Sequence, residues 1–98
     1  MQRFDDPAQA IHVATDQIFA IEVAGNPTSG YLWEARFDGH HLELQAQAYE
    51  PGKAVGAGGR ETLSFRALKA GETEVLLEYR RPWEQEVRDS RRFRVEII

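Results

Sequence analysis

Three short segments carry the residue types best suited to intermolecular chemistry: Asn26-Pro27-Thr28-Ser29-Gly30-Tyr31, Gly56-Ala57-Gly58-Gly59 and Arg81-Pro82-Trp83. The chemistry they offer is recognition, not transformation. Pro27 fixes its own φ and keeps Asn26 extended, the hydroxyls of Thr28 and Ser29 can bond nearby backbone, and Gly30 permits a positive φ. Gly52, Gly56, Gly58 and Gly59 let backbone approach another surface closely, because no Cβ intervenes. Trp83 stands beside Pro82 at a position that strand alternation does not bury, and Trp and Arg are the residues most enriched in binding hot spots. Each segment also has a plainer reading: a well-made turn, a floppy linker, and an indole folded back over the core edge.

Residues able to run a reaction are harder to find. His40 and His41 are adjacent in a turn and rarely would point the same way at a metal. Glu22, Glu34, Glu43, Glu74 and Glu78 fall on outward faces of separate strands, and no pair is placed for acid–base work. The glycine-rich segment leads through Arg60-Glu61-Thr62-Leu63 into a strand, whereas a phosphate cradle needs a helix N-terminus and a basic residue. Arg88, Arg91, Arg92 and Arg94 read as an edge strand protected by charge, not as a nucleic-acid surface. The absence of cysteine excludes a thiol nucleophile, zinc–thiolate sites and disulfide staples. No catalytic residue, metal ligand or cofactor is expected, and the chain does not read as an enzyme.

The elements that must position the three segments are strands. Ile11 and Val13 open a period-two alternation that continues through Phe19, Ile21 and Val23, then Trp33, Ala35 and Phe37. Leu42, Leu44, Ala46 and Ala48 form the expected inward set of a fourth strand. Leu63, Phe65 and Ala67, then Val75, Leu77 and Tyr79, then Phe93, Val95 and Ile97 complete about seven strands. Polar residues separate each inward set, as where one sheet face is buried and the other wet. Short strands divided by turn residues predict an all-β, immunoglobulin-like antiparallel β-sandwich with Trp33 in its core.

Strand direction then sorts the connections. The turns at Asp16-Gln17, Asp38-Gly39-His40-His41 and Lys69-Ala70-Gly71-Glu72 share one end and are short and polar. The three unusual segments share the other, including the long loop from Glu50 to Arg60. Loops clustered at one end of a sandwich are where this architecture builds binding surfaces.

Composition narrows the class further. The 98 residues suit one domain, 1–98, and 42% hydrophobic content is enough for one core and too much for a disordered chain. A formal charge of 12 − 16 = −4 argues against a general nucleic-acid partner. No stretch approaches the ~20 apolar residues that cross a membrane, so no membrane partner is expected, and a monomer is. Met1 to Ala10 is polar, with no visible signal peptide; cytoplasm and a mature exported form, periplasmic or secreted, both fit.

In order and in place, the three motifs resemble the chagasin family of protein inhibitors of papain-like cysteine peptidases. The family pattern is Asn-Pro-Thr-Thr-Gly-Tyr, a Gly-x-Gly-Gly loop and Arg-Pro-Trp on an immunoglobulin-like sandwich. The resemblance runs from the second strand to the last, with Ser29 where the family more often has Thr. It implies a reversible, noncovalent inhibitor whose loops fill the peptidase cleft. Gly56 to Gly59 would run backbone-first near the catalytic Cys, with the Thr28 loop pressing on the catalytic centre. Trp83 would stack on aromatic surface on the primed side, held by Arg81 and Pro82. The glycine-rich loop is expected to order on binding. The competing reading is a noncatalytic adhesion or ligand-recognition module using the same loop edge.

Overall fold

The computed structural model describes residues 1–26, 29–53 and 58–98 and contains eight strands in two sheets, with no α-helix among the described residues. They are β1 (Gln2–Phe4), β2 (Ile11–Val13), β3 (Ile18–Gly25), β4 (Leu32–Phe37), β5 (Leu42–Glu50), β6 (Gly59–Ala67), β7 (Gly71–Arg80) and β8 (Asp89–Ile97). One sheet runs β1-β3-β6-β5 and the other β2-β8-β7-β4, the layout of an immunoglobulin-like sandwich. The inward sets read from alternation meet between them. Phe19, Phe65 and Phe93 are fully buried there with Ile11, Ile21, Leu42, Leu63, Val75, Leu77 and Val95. Each such side chain contributes about 1.5–3 kcal/mol through its removal from water. Trp33 is 4% exposed, in the core as expected.

The structure departs from alternation in three places. The strand β1, invisible to a periodicity reading because three residues hold little pattern, pairs parallel with β3 and packs Phe4 edge-on against Phe19. Register shifts in β5 between Leu44 and Ala46, so Gln45 is an extra residue opposite β6. A bulge reverses which side chains face inward beyond it. Ala46 and Ala48, expected inside, are exposed, while Gln47 lies opposite the inward-facing Leu63 and Tyr49 opposite Glu61. Finally, β8 is not an edge strand. It lies between β7 and β2, and β2 pairs only with its last residues, Val95 to Ile97.

These topological facts place the three loops. The β3–β4 loop crosses from one sheet to the other, the β5–β6 loop closes a hairpin in the first sheet, and the β7–β8 loop closes one in the second. The strand ends that the crossing loop joins, on β3 and β4, therefore lie beside β6 of one hairpin and β7 of the other.

Candidate functional site

The first loop leaves β3 at Gly25, which pairs with Gly59. Its entry is gripped from the opposite sheet: the Trp33 indole Nε1–H donates to the Ala24 carbonyl at 2.8 Å, and the Tyr79 hydroxyl accepts the Asn26 N–H at 3.2 Å. Ser29 closes the turn locally, its Oγ donating to the Asn26 carbonyl at 2.7 Å. Gly30 has φ of 84°, where a side chain would be strained, and a Cβ there would lie 2.8 Å from the Trp83 ring. Glycine is needed at this position twice over. Pro27 and Thr28, both expected site residues, lie outside the described residues.

The third loop is built to present one ring. The Glu84 N–H donates to the Arg81 carbonyl at 3.0 Å, closing a tight turn with Pro82 and Trp83 at its tip. Arg80 donates to the Glu84 carbonyl at 3.0 Å and Arg81 to the Glu84 carboxylate at 3.1 Å. Arg81 also reaches across to the first loop, its Nε donating to the Ser29 carbonyl at 3.2 Å. Trp83 ends seated by one edge on Gly30 and 73% exposed. The indole does not fold back over the core.

A column of aromatic rings underlies both loops. Tyr31 stacks on Tyr79 at 5.2 Å between centroids, and Tyr79 meets Trp33 at 4.7 Å. The guanidinium groups of Arg81 and Arg88 lie 4.6 and 5.1 Å from the Tyr31 ring centre, and Arg91 lies 5.7 Å from that of Trp33. Such pairs add about 0.5–1.5 kcal/mol each beyond burial, and here they stiffen the base of the loops. Tyr79 and Arg88 are the positions that motif reading missed. The available signal was a Tyr ending an otherwise apolar inward set, where a polar tip can reach out of the core.

The second loop is described only at its ends; Gly56 and Ala57 lie outside the described residues. Its two remaining expected glycines have different roles. A Cβ on Gly59 would fall 2.0 Å from the Glu50 carbonyl and 2.7 Å from the Tyr49 hydroxyl, so the hairpin closes only with glycine there. On Gly58 a Cβ would meet the Gly25 carbonyl at an ordinary 3.5 Å. Gly59 belongs to the frame, and Gly58 lies open beside the first loop.

Two buried carboxylates stand behind this end. Glu22 is 7% exposed and holds Arg3 at 2.9 Å and Arg60 at 2.6 Å. Burial works to raise its pKa, and the hydrogen bonds and charges of the two arginines outweigh that and hold it below the ordinary value. Glu61 is 6% exposed and accepts from the Gln47 amide at 2.9 Å. Among the described residues, neither is hydrogen-bonded to a hydroxyl or a lysine. No group of three or more His, Cys, Asp or Glu among the described residues could hold a metal ion. What the arrangement offers is a projecting indole and close-approach backbone on a braced edge.

A rigid sandwich with loops clustered at one edge is an architecture that commonly carries binding surfaces. Residues 12–97 match the family described as chagasin family peptidase inhibitor I42, and the chain belongs to that family. It is 34% identical over 92 residues to chagasin of Trypanosoma cruzi, covering 85% of this chain and 82% of chagasin. The crystal structure of the cysteine protease inhibitor EhICP2 of Entamoeba histolytica superposes with a TM-score of 0.84 at 22% identity, covering 99% of this chain and 94% of that one. PbICP-C, solved in complex with falcipain-2, shares the fold at a TM-score of 0.60 and 14% identity, covering 99% of this chain and 88% of that one. The members of this family are protease inhibitors, not enzymes.

Proposed function

We propose that residues 1–98 act as a single inhibitory domain that blocks papain-like cysteine peptidases reversibly and without a covalent bond. Membership of a peptidase-inhibitor family, and a family-fold protein bound to falcipain-2, a peptidase of that class, support the target. One observation carries the mechanism: Trp83 is 73% exposed yet seated on Gly30, with Arg81 tying its loop to Ser29. An exposed indole held in one place loses little freedom on binding, so more of its contact energy reaches the affinity.

In this reading the contact set is Asn26, Pro27, Thr28, Ser29, Gly30, Tyr31, Gly56, Ala57, Gly58, Gly59, Arg81, Pro82 and Trp83. The residues from Gly56 to Gly58 enter the cleft backbone-first, and no side chain there offers a nucleophilic group. Trp83 anchors one flank on aromatic surface. Asn26, Gly59 and Arg81 serve the site through the frame: Asn26 by its bond to Tyr79, Gly59 by closing the hairpin, Arg81 by locking two loops together. Titration of papain at fixed substrate tests the reading. Reversible loss of activity saturating at one inhibitor per enzyme is expected. Full activity in the presence of the folded protein, for papain and a cathepsin L-like enzyme alike, would overturn it.

A further inference from the structure

We propose that Gln47 and Glu61 are positioning residues that set the gap between the two sheets at the loop end, and with it the spacing of the inhibitory loops. The proposal deepens the inhibitory reading and rests on it for its consequence. Gln47 is an exposed residue whose amide nonetheless spends both hydrogens on the protein: Nε2 donates to the Trp33 carbonyl at 2.8 Å and to the Glu61 Oε1 at 2.9 Å. Trp33 lies on β4 of one sheet, Gln47 and Glu61 on β5 and β6 of the other. A single side chain thus laces the neighbouring edges of the sandwich together. It is available only because the bulge at Gln45 reverses the direction of β5 side chains.

Glu61 transmits this grip to the loops. Its carboxylate lies against the last residue of β3, where Oε2 would be 3.0 Å from a Cβ on Gly25. It is also paired in register with Val23 on one side and Tyr49 on the other, two residues from the Gly25–Gly59 pair at the mouth of the first two loops. The other buried carboxylate, Glu22, is neutralised by two arginines; no ion pair reaches Glu61 among the described residues. A buried charge held by an amide instead of a cation is a costly way to gain stability alone, since apolar residues would serve. Its use here is geometric. The Trp33 indole N–H and the Asn26 N–H, which also bridge the sheets, close the same gap from within.

The test uses the full chain and three variants: Gln47→Leu, Glu61→Gln, and the double Gln47→Leu/Glu61→Leu. Melting temperature, inhibition of papain, and hydrogen exchange of the Trp33 indole are measured for each. Gln47→Leu strands a buried carboxylate and should lower the melting temperature and speed indole exchange. The double variant removes both side-chain partners and leaves only the Trp33 carbonyl without this donor, so most of the lost stability should return. Its inhibition should stay about tenfold weaker, as expected for a coupled network, and its indole exchange should stay fast. Glu61→Gln keeps an acceptor for the amide and should behave as the natural chain does. If the double variant regains stability, inhibition and slow exchange together, the positioning role is wrong. Absence of inhibition by the natural chain would instead overturn the inhibitory reading, while indole exchange would still decide the positioning role without any peptidase present.

Discussion

The two ends of this sandwich are made with the same turn chemistry and leave opposite things exposed. At the plain end the side chains turn inward on their own backbone. Asp38 accepts the His40 N–H at 2.9 Å and faces the ring Nδ1 of His40 at 3.0 Å and of His41 at 2.9 Å. Asp16, at φ of 72°, is held by its N–H to the Ala67 carbonyl at 2.7 Å and by Arg66 on its carboxylate at 3.0 Å. Gln17 caps the Ala14 N–H at 2.9 Å. These groups are satisfied where they stand. At the loop end, hydrogen bonds and stacked rings lie beneath the surface and hold up an indole that touches little. In the proposed reading this difference distinguishes the binding end: bracing below, an exposed indole above.

The sharpest way to break the loop end is at its base. Gly59→Val places a side chain into the Glu50 carbonyl and should destabilise the fold by about 3 kcal/mol or more. Thermal unfolding measures this, and an unchanged melting temperature would show that the hairpin closes by some other path. Trp83→Ala comes next. It should weaken inhibition by about 2 kcal/mol, roughly 30-fold, with a stability change within about 0.5 kcal/mol because the ring is exposed. Unaltered inhibition would remove Trp83 from the contact set. Gly58→Val is a smaller perturbation, with room for its Cβ on the free protein. Inhibition should fall while the melting temperature holds; a large loss of stability would make Gly58 a frame residue like Gly59.

The plain end supplies the smallest effect and the control. Hydrogen bonds from the His40 backbone, then those from His41 and His40, hold the Asp38 carboxyl down at about 2 against an ordinary 3.8. A depressed carboxyl pKa stabilises the fold above the unfolded value and loses that contribution as pH falls through the folded one. Asp38→Asn should therefore lower stability at pH 5, and the gap to the natural chain should close between pH 3.8 and about 2. Denaturant titrations across that range measure it. Inhibition should be unchanged throughout, and a weakened Asp38→Asn inhibitor would spoil the contrast between the two ends.

Much of this contrast is legible in the sequence. Period-two alternation locates seven of the strands because their inward sets are unbroken aliphatic and aromatic residues, and strand parity then places the loops together. What stays hidden has physical reasons. The bulge at Gln45 carries no Gly or Pro to announce it, so alternation gives Ala46 and Ala48 the core-side face that Gln47, itself exposed at the sheet edge, takes instead. Glu22 reads as ordinary solvent-facing alternation, and its burial depends on arginines from elsewhere in the chain. Glu61 has the parity of the inward-facing Leu63, but the amide that holds it comes from another strand. The column from Tyr31 through Tyr79 to Trp33 joins positions far apart in the chain, which no local pattern records.

Amide hydrogen exchange of the protein with and without an equimolar papain-like peptidase tests the central claim most directly, because it reads both ends at once. Protection should rise at residues 24–31, 58–60 and 80–88 and stay unchanged at 14–17, 38–41 and 68–72. Protection confined to the plain end, or spread evenly over both, would contradict the account.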